Sequence, residues 1–242
     1  MLIIIPCFNE YERLPIKDIE SFLKQHKNIK IIFSDDASTD NTLKLLEKIR
    51  FDFNDQVSIY KLKINKGKAE AIRQAALHAF QKIDGFDKIA YLDADMAVSL
   101  EECVEHSKLL KKNKVLVFGS RISKIDNTII RSDFRHYSGR FIATIISNLL
   151  EIKVYDTQCG CKIIDKSLAE KILNTPFISK WLFDVELFFR IIKLYSRADL
   201  KDICVEIPLK SWIDKGGSKV KITYFFKMWR DLYLIKKAYK DV

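Results

Sequence analysis

Short apolar runs rich in β-branched residues alternate with helical patterns through the first hundred residues, and this alternation limits the choice of fold most strongly. The predicted strands span Leu2–Ile5, Ile29–Ser34, Val57–Lys61 and Ile89–Leu92. The predicted helices between them span Glu12–His26, Thr42–Arg50 and Lys68–Lys82. Strands that are separated by helices imply right-handed crossovers and a mainly parallel sheet. The sequence therefore predicts an α/β fold in which helices flank a central sheet.

The second half of the sequence is less regular. Val115–Ser120 is predicted to be a strand, Ile125–Arg140 a basic loop or short helix, and the residues from Phe141 to Leu150 an amphipathic helix. Residues 220–240 are predicted to form a basic amphipathic C-terminal helix. Its apolar face carries Ile222, Phe225, Phe226, Trp229, Leu232 and Tyr233. For both helices the pattern fits packing on the protein body and also binding at a membrane surface.

Length and charge limit the domain count and the partners. The 242 residues, 48% of them hydrophobic, can bury one sizeable core, so we predict a single domain over residues 1–242. Lys and Arg exceed Asp and Glu by 42 to 32, and the formal charge of +10 favours polyanionic partners such as phosphates or an anionic membrane surface. The sequence has no finger, RNP-like or Arg-rich motif, so nucleic acid is not an expected partner.

Cysteine usage and the N-terminus bear on the compartment. The five cysteines are a scattered, odd set, which fits a reduced cytoplasmic protein, and the four histidines show no zinc-ligand spacing. Met1–Pro6 has no basic region and only a very short apolar stretch, so it is predicted to be a first strand rather than a signal peptide. No apolar run approaches the ~18 residues of a membrane span. We expect a cytoplasmic protein that contacts a membrane peripherally.

Three polar clusters follow predicted strands at the point where each strand ends. They are Pro6–Glu10, Asp35–Asp40 and Asp93–Asp95. The carboxyl ends of parallel strands meet at one edge of a sheet, where open α/β sheets bind their ligands. Carboxylates gathered there repel one another unless a cation or a polar ligand takes up their charge. Asp93 and Asp95 are therefore a candidate site for Mg²⁺ or Mn²⁺.

Phosphate-binding patterns narrow the choice further. The sequence lacks the glycine-rich patterns of dinucleotide-binding folds and of P-loop ATPases, which argues against both classes. Residues 65–68, Asn-Lys-Gly-Lys, precede a predicted helix and could offer backbone N–H groups and a lysine to a phosphate. The same residues also fit an ordinary basic turn.

Five motifs stand in order along the chain. They are Ile-Pro-Cys-Phe-Asn-Glu at 5–10, Asp-Asp-Ala-Ser-Thr-Asp at 35–40, Asn-Lys-Gly-Lys at 65–68, Asp-Ala-Asp at 93–95 and Gly-Ser-Arg at 119–121. Together they resemble the family 2 inverting glycosyltransferases, which implies the GT-A (nucleotide-diphospho-sugar transferase) fold. The later segments 156–162, 181–186 and 212–219 resemble dolichyl-phosphate β-glucosyltransferases. Cys161 departs from that branch, which usually has Phe there, and Ala69 replaces a frequent Gly.

The resemblance implies transfer of glucose from UDP-glucose to a polyprenyl phosphate, either dolichyl or undecaprenyl. The residues implied to bind the nucleotide sugar are Pro6, Phe8, Asn9, Glu10, Asp35, Asp36, Lys68 and Asp93. The implied metal ligands are Asp93 and Asp95. The residues expected to bind the acceptor phosphate are Arg121, Arg135, Gln158 and Lys219. The residues expected to take part in catalysis are Asp95, Arg121, Asp184 and Glu186.

The acceptor decides whether the reaction needs a base. A phosphate monoester has a second pKa of about 6 and is already mostly dianionic at neutral pH. Asp184 or Glu186 would serve as a base for a hydroxyl acceptor, and would otherwise hold sugar hydroxyls. The two share a face if their segment is a strand, but not if it is a helix. Arg131 and Arg140 are expected to be surface charges.

Two alternatives stay open. The same cleft could use GDP-mannose, or could pass its sugar to a saccharide hydroxyl. A protein of a different class, which binds nucleotide sugars at a membrane surface without catalysis, is less favoured because both Asp93 and Asp95 are present.

Overall fold

The computed structural model describes residues 1–130, 133–213 and 223–242, with the side chains of 133–136 and 223–226 left aside. The strands are β1 (Leu2–Cys7), β2 (Lys30–Asp35), β3 (Val57–Lys61), β4 (Lys88–Leu92), β5 (Leu116–Ser120), β6 (Thr128–Ile130), β7 (Cys161–Asp165), β8 (Cys204–Pro208) and β9 (Ser211–Ile213). The helices are α1 (Ile16–Gln25), α2 (Thr42–Asp52), α3 (Lys68–Lys82), α4 (Leu100–Ser107), α5 (Asp133–Leu150), α6 (Lys166–Ile172), α7 (Phe183–Leu194), α8 (Leu200–Ile203) and α9 (Thr223–Ala238).

The central sheet has seven strands in the order β3-β2-β1-β4-β7-β5-β8. All neighbours in it are parallel except β7, which runs antiparallel to both β4 and β5. A separate parallel pair joins β6 and β9. The predicted α/β class with a mainly parallel sheet is therefore confirmed.

The order of the strands defines a crevice beside β1. From β1 the chain moves outward through β2 to β3, and it then returns to place β4 on the opposite side of β1. This reversal opens a crevice at the carboxyl ends of β1 and β4, which is where open α/β sheets bind ligands. The polar clusters after β1 and β4 flank that crevice.

Alternating side chains bury both faces of the sheet. Along β1, Leu2 and Ile4 face one core, which is covered by α3, α6, α7 and α9, while Ile3 and Ile5 face a second core, which is covered by α1, α2 and α4. Successive side chains of a strand point to opposite faces, so a strand covered on both sides must be apolar at every position. The unbroken apolar run at the N-terminus therefore fits an inner strand.

Two helices begin at residues that differ from the predictions. The first starts at Ile16 rather than Glu12, because Pro15 disfavours helical geometry in the residue before it. The helix predicted from Phe141 is the second half of α5, which already begins at Asp133, after the short strand β6. Within α5, Ile146 and Leu150 are buried while Tyr137 and Phe141 are exposed.

The C-terminal helix α9 is docked on the protein body through one face, and binding at a membrane surface stays a prediction. Met228, Leu232 and Ile235 are buried in the core that α7 also lines. Trp229 and Tyr233 point outward, with 43% and 64% of their surface exposed. The predicted apolar residues Ile222, Phe225 and Phe226 lie outside the described side chains. Among the described helices, none has the length and apolar character needed to cross a membrane.

Candidate functional site

The loops after β1 and β2 are joined by hydrogen bonds. The backbone N–H of Asn9 donates to Ser38 Oγ (3.0 Å), and Asn9 Oδ1 accepts from the backbone N–H of Thr39 (2.8 Å). Next along the chain, the backbone N–H of Glu10 donates to Thr42 Oγ1 (2.8 Å). Asn9 has a positive φ of 52°, a backbone conformation that Asn tolerates better than most residues. These bonds bring the first two polar clusters together, as predicted.

Asp36 holds the turn that precedes α3. Its two carboxylate oxygens accept from the backbone N–H groups of Lys66 and Gly67, both at 2.7 Å. These two N–H groups are thus already paired with a carboxylate, and the prediction that this turn offers Lys68 to a phosphate stays a prediction. Asp36 therefore fixes the conformation of this loop. Lys68, the first residue of α3, follows directly and faces the crevice.

Asp35 is fully buried at the end of β2. Its Oδ1 accepts from the backbone N–H of Ser38 (3.3 Å), but its Oδ2 has no hydrogen-bond partner among the described residues. A buried carboxylate oxygen normally has a donor, and an unsatisfied one requires an explanation. An N–H group of a bound ligand would supply the missing donor.

Each carboxylate of the Asp-Ala-Asp motif has a cationic partner. Asp93 Oδ1 is in direct contact with Lys68 Nζ. Asp95 Oδ2 accepts from Arg13 Nη2 (3.1 Å), and Arg13 Nη1 also lies 3.6 Å from Glu10 Oε2. Side chains from the ends of β1 and β4 and from the start of α3 therefore meet at this edge of the sheet.

The two aspartates could hold a metal ion only with help from a ligand. Among the described residues, no group of three or more His, Cys, Asp or Glu side chains is arranged to bind a metal. Mg²⁺ commonly binds one or two carboxylates and completes its shell with waters and substrate phosphates. Asp93 and Asp95 fit that kind of site rather than a complete protein cage.

Lys68 remains positively charged in the crevice. Burial by itself lowers the pKa of this lysine, but the charges of Asp93 and Asp184 outweigh burial, so the pKa is raised. The ammonium also lies 5.8 Å from the centre of the Phe183 ring. A permanent cation beside Asp93 is well placed to meet a diphosphate.

Gly160 gives Asp93 the space that it occupies. A Cβ atom on this glycine would lie 2.1 Å from Asp93 Oδ2, far closer than a side chain can approach. Gly160 immediately precedes β7, whose residue Cys161 is paired with Leu92. The antiparallel strand therefore brings a bare backbone segment against the carboxylate.

Arg121, at the end of β5, is bound to Asp156. Its Nε and Nη2 donate to the two oxygens of Asp156 at 2.7 and 2.8 Å, and its backbone N–H donates to Oδ2 (3.1 Å). Burial alone would raise the pKa of Asp156, but the Arg121 guanidinium lowers it to about 2. Asp156 is therefore a fixed anion that orients the guanidinium. The expected role of Arg121 towards a phosphate stays a prediction.

The structure separates Asp184 from Glu186. Both lie in helix α7, so they do not share a face. Asp184 Oδ1 lies 2.6 Å from Lys162 Nζ and accepts a hydrogen bond from the Tyr91 hydroxyl. Tyr91 is two residues before Asp93 in the sequence.

Glu186 belongs to a different network. It accepts from Arg190 Nη2 (2.7 Å), from the backbone N–H of Ile178 (2.7 Å) and from the Tyr239 hydroxyl (3.1 Å). These partners join α7 to the residue that follows α9 and to the loop before α7. Asp184 is thus linked to the crevice, whereas Glu186 serves internal packing.

Some of the remaining predicted residues have described side chains, and the others do not. Pro6 and Phe8 are half-buried where β1 ends, and Gln158 donates its backbone N–H to Asp156 Oδ1 (3.1 Å). Arg140 donates to the backbone carbonyl of Tyr155 (3.0 Å) and stacks on its ring. The side chains of Arg131, Arg135 and Lys219 lie outside the described residues.

Three residues of this site were not predicted from the sequence. Each of them contacts a predicted aspartate: Arg13 contacts Asp95, Gly160 packs against Asp93, and Lys162 contacts Asp184. The glycine and the lysine lie inside a motif that carried the family resemblance, and this was the available signal. The sequence near Arg13 offers no comparable hint, because its partner Asp95 is 82 residues away.

The chain belongs to glycosyl transferase family 2, whose model matches residues 2–173. It is 33% identical to a dolichyl-phosphate β-glucosyltransferase of Saccharomyces cerevisiae, over 98% of this chain and 74% of that protein. It is 30% identical to a dolichyl-phosphate β-glucosyltransferase of Dictyostelium discoideum, over 98% of this chain and 74% of that protein. The resemblance seen in the sequence motifs is thereby confirmed.

Solved structures share the fold. One is glucosyl-3-phosphoglycerate synthase from Mycobacterium tuberculosis in complex with Mn²⁺, UDP-glucose and phosphoglyceric acid, with a TM-score of 0.69, 13% identity and coverage of 100% of this chain and 79% of that chain. Another is mannosyl-3-phosphoglycerate synthase from Rubrobacter xylanophilus, with a TM-score of 0.69, 14% identity and coverage of 100% and 75%. These matches confirm the predicted GT-A fold.

Proposed function

We propose that this glycosyltransferase moves glucose from UDP-glucose to a polyprenyl phosphate, such as dolichyl or undecaprenyl phosphate, with inversion at the anomeric carbon. The observation that carries the proposal is the similarity to dolichyl-phosphate β-glucosyltransferases, which extends over 98% of the chain. The crevice supports the proposal too, because a nucleoside diphosphate needs cations close to its phosphates. Lys68 is one such cation, and Asp93 and Asp95 could bind a metal ion as another. Gly160 leaves Asp93 the space that it occupies.

The donor would lie across the ends of β1, β2 and β4. The unpaired Oδ2 of buried Asp35 supports a hydrogen bond to an N–H of the base. Asp93 would lie near the ribose and the metal ion, while Asp95 would be the principal metal ligand. When bound, Mg²⁺ or Mn²⁺ would neutralise the UDP leaving group as its bond to the sugar breaks. The Mn²⁺ in the complex of the similarly folded synthase supports this choice of ion.

The acceptor would need cations rather than a base. A phosphate monoester arrives as a dianion at neutral pH, since its second pKa is about 6. Arg121 is already oriented by Asp156, and we propose that it guides the acceptor phosphate together with Arg135, Gln158 and Lys219. We assign no base to Glu186, because three donors already bind its carboxylate. Asp184 is left to hold a hydroxyl of the donor sugar.

We expect Asp95→Asn to reduce kcat/KM more than about 100-fold. Mutation of a residue that only supports a metal ligand typically costs about 10- to 100-fold in activity, and loss of the ligand itself should cost more. The measurement is transfer of radiolabelled glucose from UDP-glucose, with Mn²⁺, to dolichyl and undecaprenyl phosphates. Asp55→Asn, at an exposed loop position, is the matched control and should keep full activity. Transfer from GDP-mannose instead, transfer to neither lipid, or full activity of Asp95→Asn would contradict the proposal.

Gly160→Ala should weaken UDP binding at least tenfold in the presence of Mn²⁺, since the added methyl group displaces Asp93 from its position beside Lys68. Isothermal titration calorimetry with UDP gives the affinity directly. Gly139→Ala is the matched control, because Gly139 lies within α5 and an added Cβ there meets no atom within 4 Å. Equal UDP affinity in the two variants would exclude a role of Asp93 in donor binding.

We further propose that the protein acts in the cytoplasm, bound peripherally to an anionic membrane surface. Helix α9 is docked through one face, and it exposes Trp229 and Tyr233 on the other. Exposed cations flank these rings, namely Lys227, Arg230, Lys236, Lys237 and Lys240. Aromatic rings between cations suit the boundary between lipid head groups and acyl chains. A lipid acceptor would be met at the same surface.

Replacing Trp229 and Tyr233 together by Ser should release most of the protein from liposomes that contain anionic lipid, because each ring contributes roughly 1.5–3 kcal/mol when buried. Flotation on a density gradient measures the bound fraction. Phe51→Ser removes an aromatic ring that is 85% exposed on α2 and should leave flotation unchanged. If the double variant floats as well as the unaltered protein, α9 is not the membrane contact.

A further inference from the structure

A buried charged cluster surrounds Asp184, and its lysine, Lys162, has no role in the proposed reaction. Lys162, on β7, has 0% of its surface exposed. Its ammonium lies 2.6 Å from Asp184 Oδ1 and donates to the backbone carbonyl of Cys159 (2.9 Å). The Tyr91 hydroxyl donates to the same oxygen of Asp184. Three elements, β4, β7 and α7, therefore converge on one carboxylate.

Stability alone gives a poor reason for this arrangement. Burying a lysine and an aspartate removes both charges from water, and their attraction often does no more than offset that loss. Apolar side chains of similar volume commonly fill such a position equally well. The surroundings of Lys162 are apolar already, since Tyr91 and Phe118 are its neighbours on the adjoining strands. An ion pair at this buried position therefore indicates a role for the charge other than stability.

The geometry of Asp184 indicates that use. Both donors bind Oδ1, while Oδ2 accepts no hydrogen bond from the described residues. Tyr91, whose hydroxyl donates to Asp184, has the ammonium of Lys68 6.0 Å from its ring centre, and Lys68 contacts Asp93. Asp184 thus stands beside the part of the crevice where a donor would lie, with one oxygen fixed by the protein.

The lysine is itself held in place. Its second bond goes to the carbonyl of Cys159, and the next residue, Gly160, packs against Asp93. The position of the ammonium is therefore set by the same turn that borders the crevice. A shift of the lysine would move Asp184 and leave the turn without this anchor.

We propose that Lys162 is a positioning residue, which holds Asp184 so that its second oxygen receives a hydroxyl of the donor sugar. This inference rests on the proposed function, because it assumes a nucleotide sugar in the crevice. The lysine acts through Asp184 and does not touch the substrate. Its effect should therefore appear with UDP-glucose, which carries the sugar, and not with UDP.

Lys162→Met should weaken binding of UDP-glucose about 10- to 100-fold, the usual cost of losing a partner that orients a ligand-binding side chain. Binding of UDP should stay within about twofold by the same argument. Calorimetry of the full chain with Mn²⁺ measures both affinities without any acceptor, at a temperature where thermal melts show each variant folded. Lys166→Met, four residues further along, is the matched control and should bind both ligands normally. Unchanged UDP-glucose affinity in folded Lys162→Met would overturn the proposal.

A double variant keeps the test decisive if Lys162→Met does not fold. Lys162→Met combined with Asp184→Asn removes both buried charges, so it leaves neither unpaired. If the lysine acts through the aspartate, the double variant binds UDP-glucose no more weakly than Asp184→Asn alone. A further loss in the double variant would show an independent effect and overturn the proposal.

The same measurements separate this inference from the proposed function. Binding of UDP-glucose by the unaltered protein without transfer to any lipid would refute the proposed acceptor and leave the role of Lys162 intact. Failure of the unaltered protein to bind UDP-glucose would refute the proposed donor and this role with it.

Discussion

The pairing of Asp93 and Asp95 with cations from other elements is the interaction on which the rest of this structure depends. Lys68 from the start of α3 meets Asp93, and Arg13 from the loop after β1 meets Asp95. Two like charges ~4 Å apart repel by about 4 kcal/mol at the effective dielectric near a protein surface. Carboxylates could not gather at one sheet edge without such partners. The fold therefore brings cations and anions to the crevice together.

The sheet topology explains how these groups meet. The reversal of strand order beside β1 leaves a gap at the carboxyl ends of β1 and β4, and the loops after both strands enter it. Strand β7, running antiparallel beside β4, adds Gly160 from the other side. A bare glycine and a charged lysine therefore lie beside the same aspartate. Membership in glycosyl transferase family 2 agrees with a crevice of this kind.

Local sequence patterns predicted those structural features that are set by residues close together in the sequence. The bounds of β3 and α3 agree with the prediction, because apolar periodicity and a preceding glycine define them locally. The antiparallel direction of β7 could not be predicted, since a strand buried on both faces carries no sign of its direction. Arg13 and Lys162 were missed for a related reason, because their partners are brought close only by the assembled sheet. The helix of Asp184 and Glu186 then decided which of the two reaches the crevice.

The central claim is that Asp93 and Asp95 share a divalent ion with the diphosphate of a nucleotide. Titration of Mn²⁺ into the full chain, followed by the electron paramagnetic resonance of free Mn²⁺, tests it most directly. Two carboxylates that already have cationic partners should bind Mn²⁺ weakly alone, and UDP should raise that affinity at least tenfold, with the gain lost in Asp95→Asn. Binding of Mn²⁺ that UDP leaves unchanged, or a gain that survives in Asp95→Asn, would contradict the account.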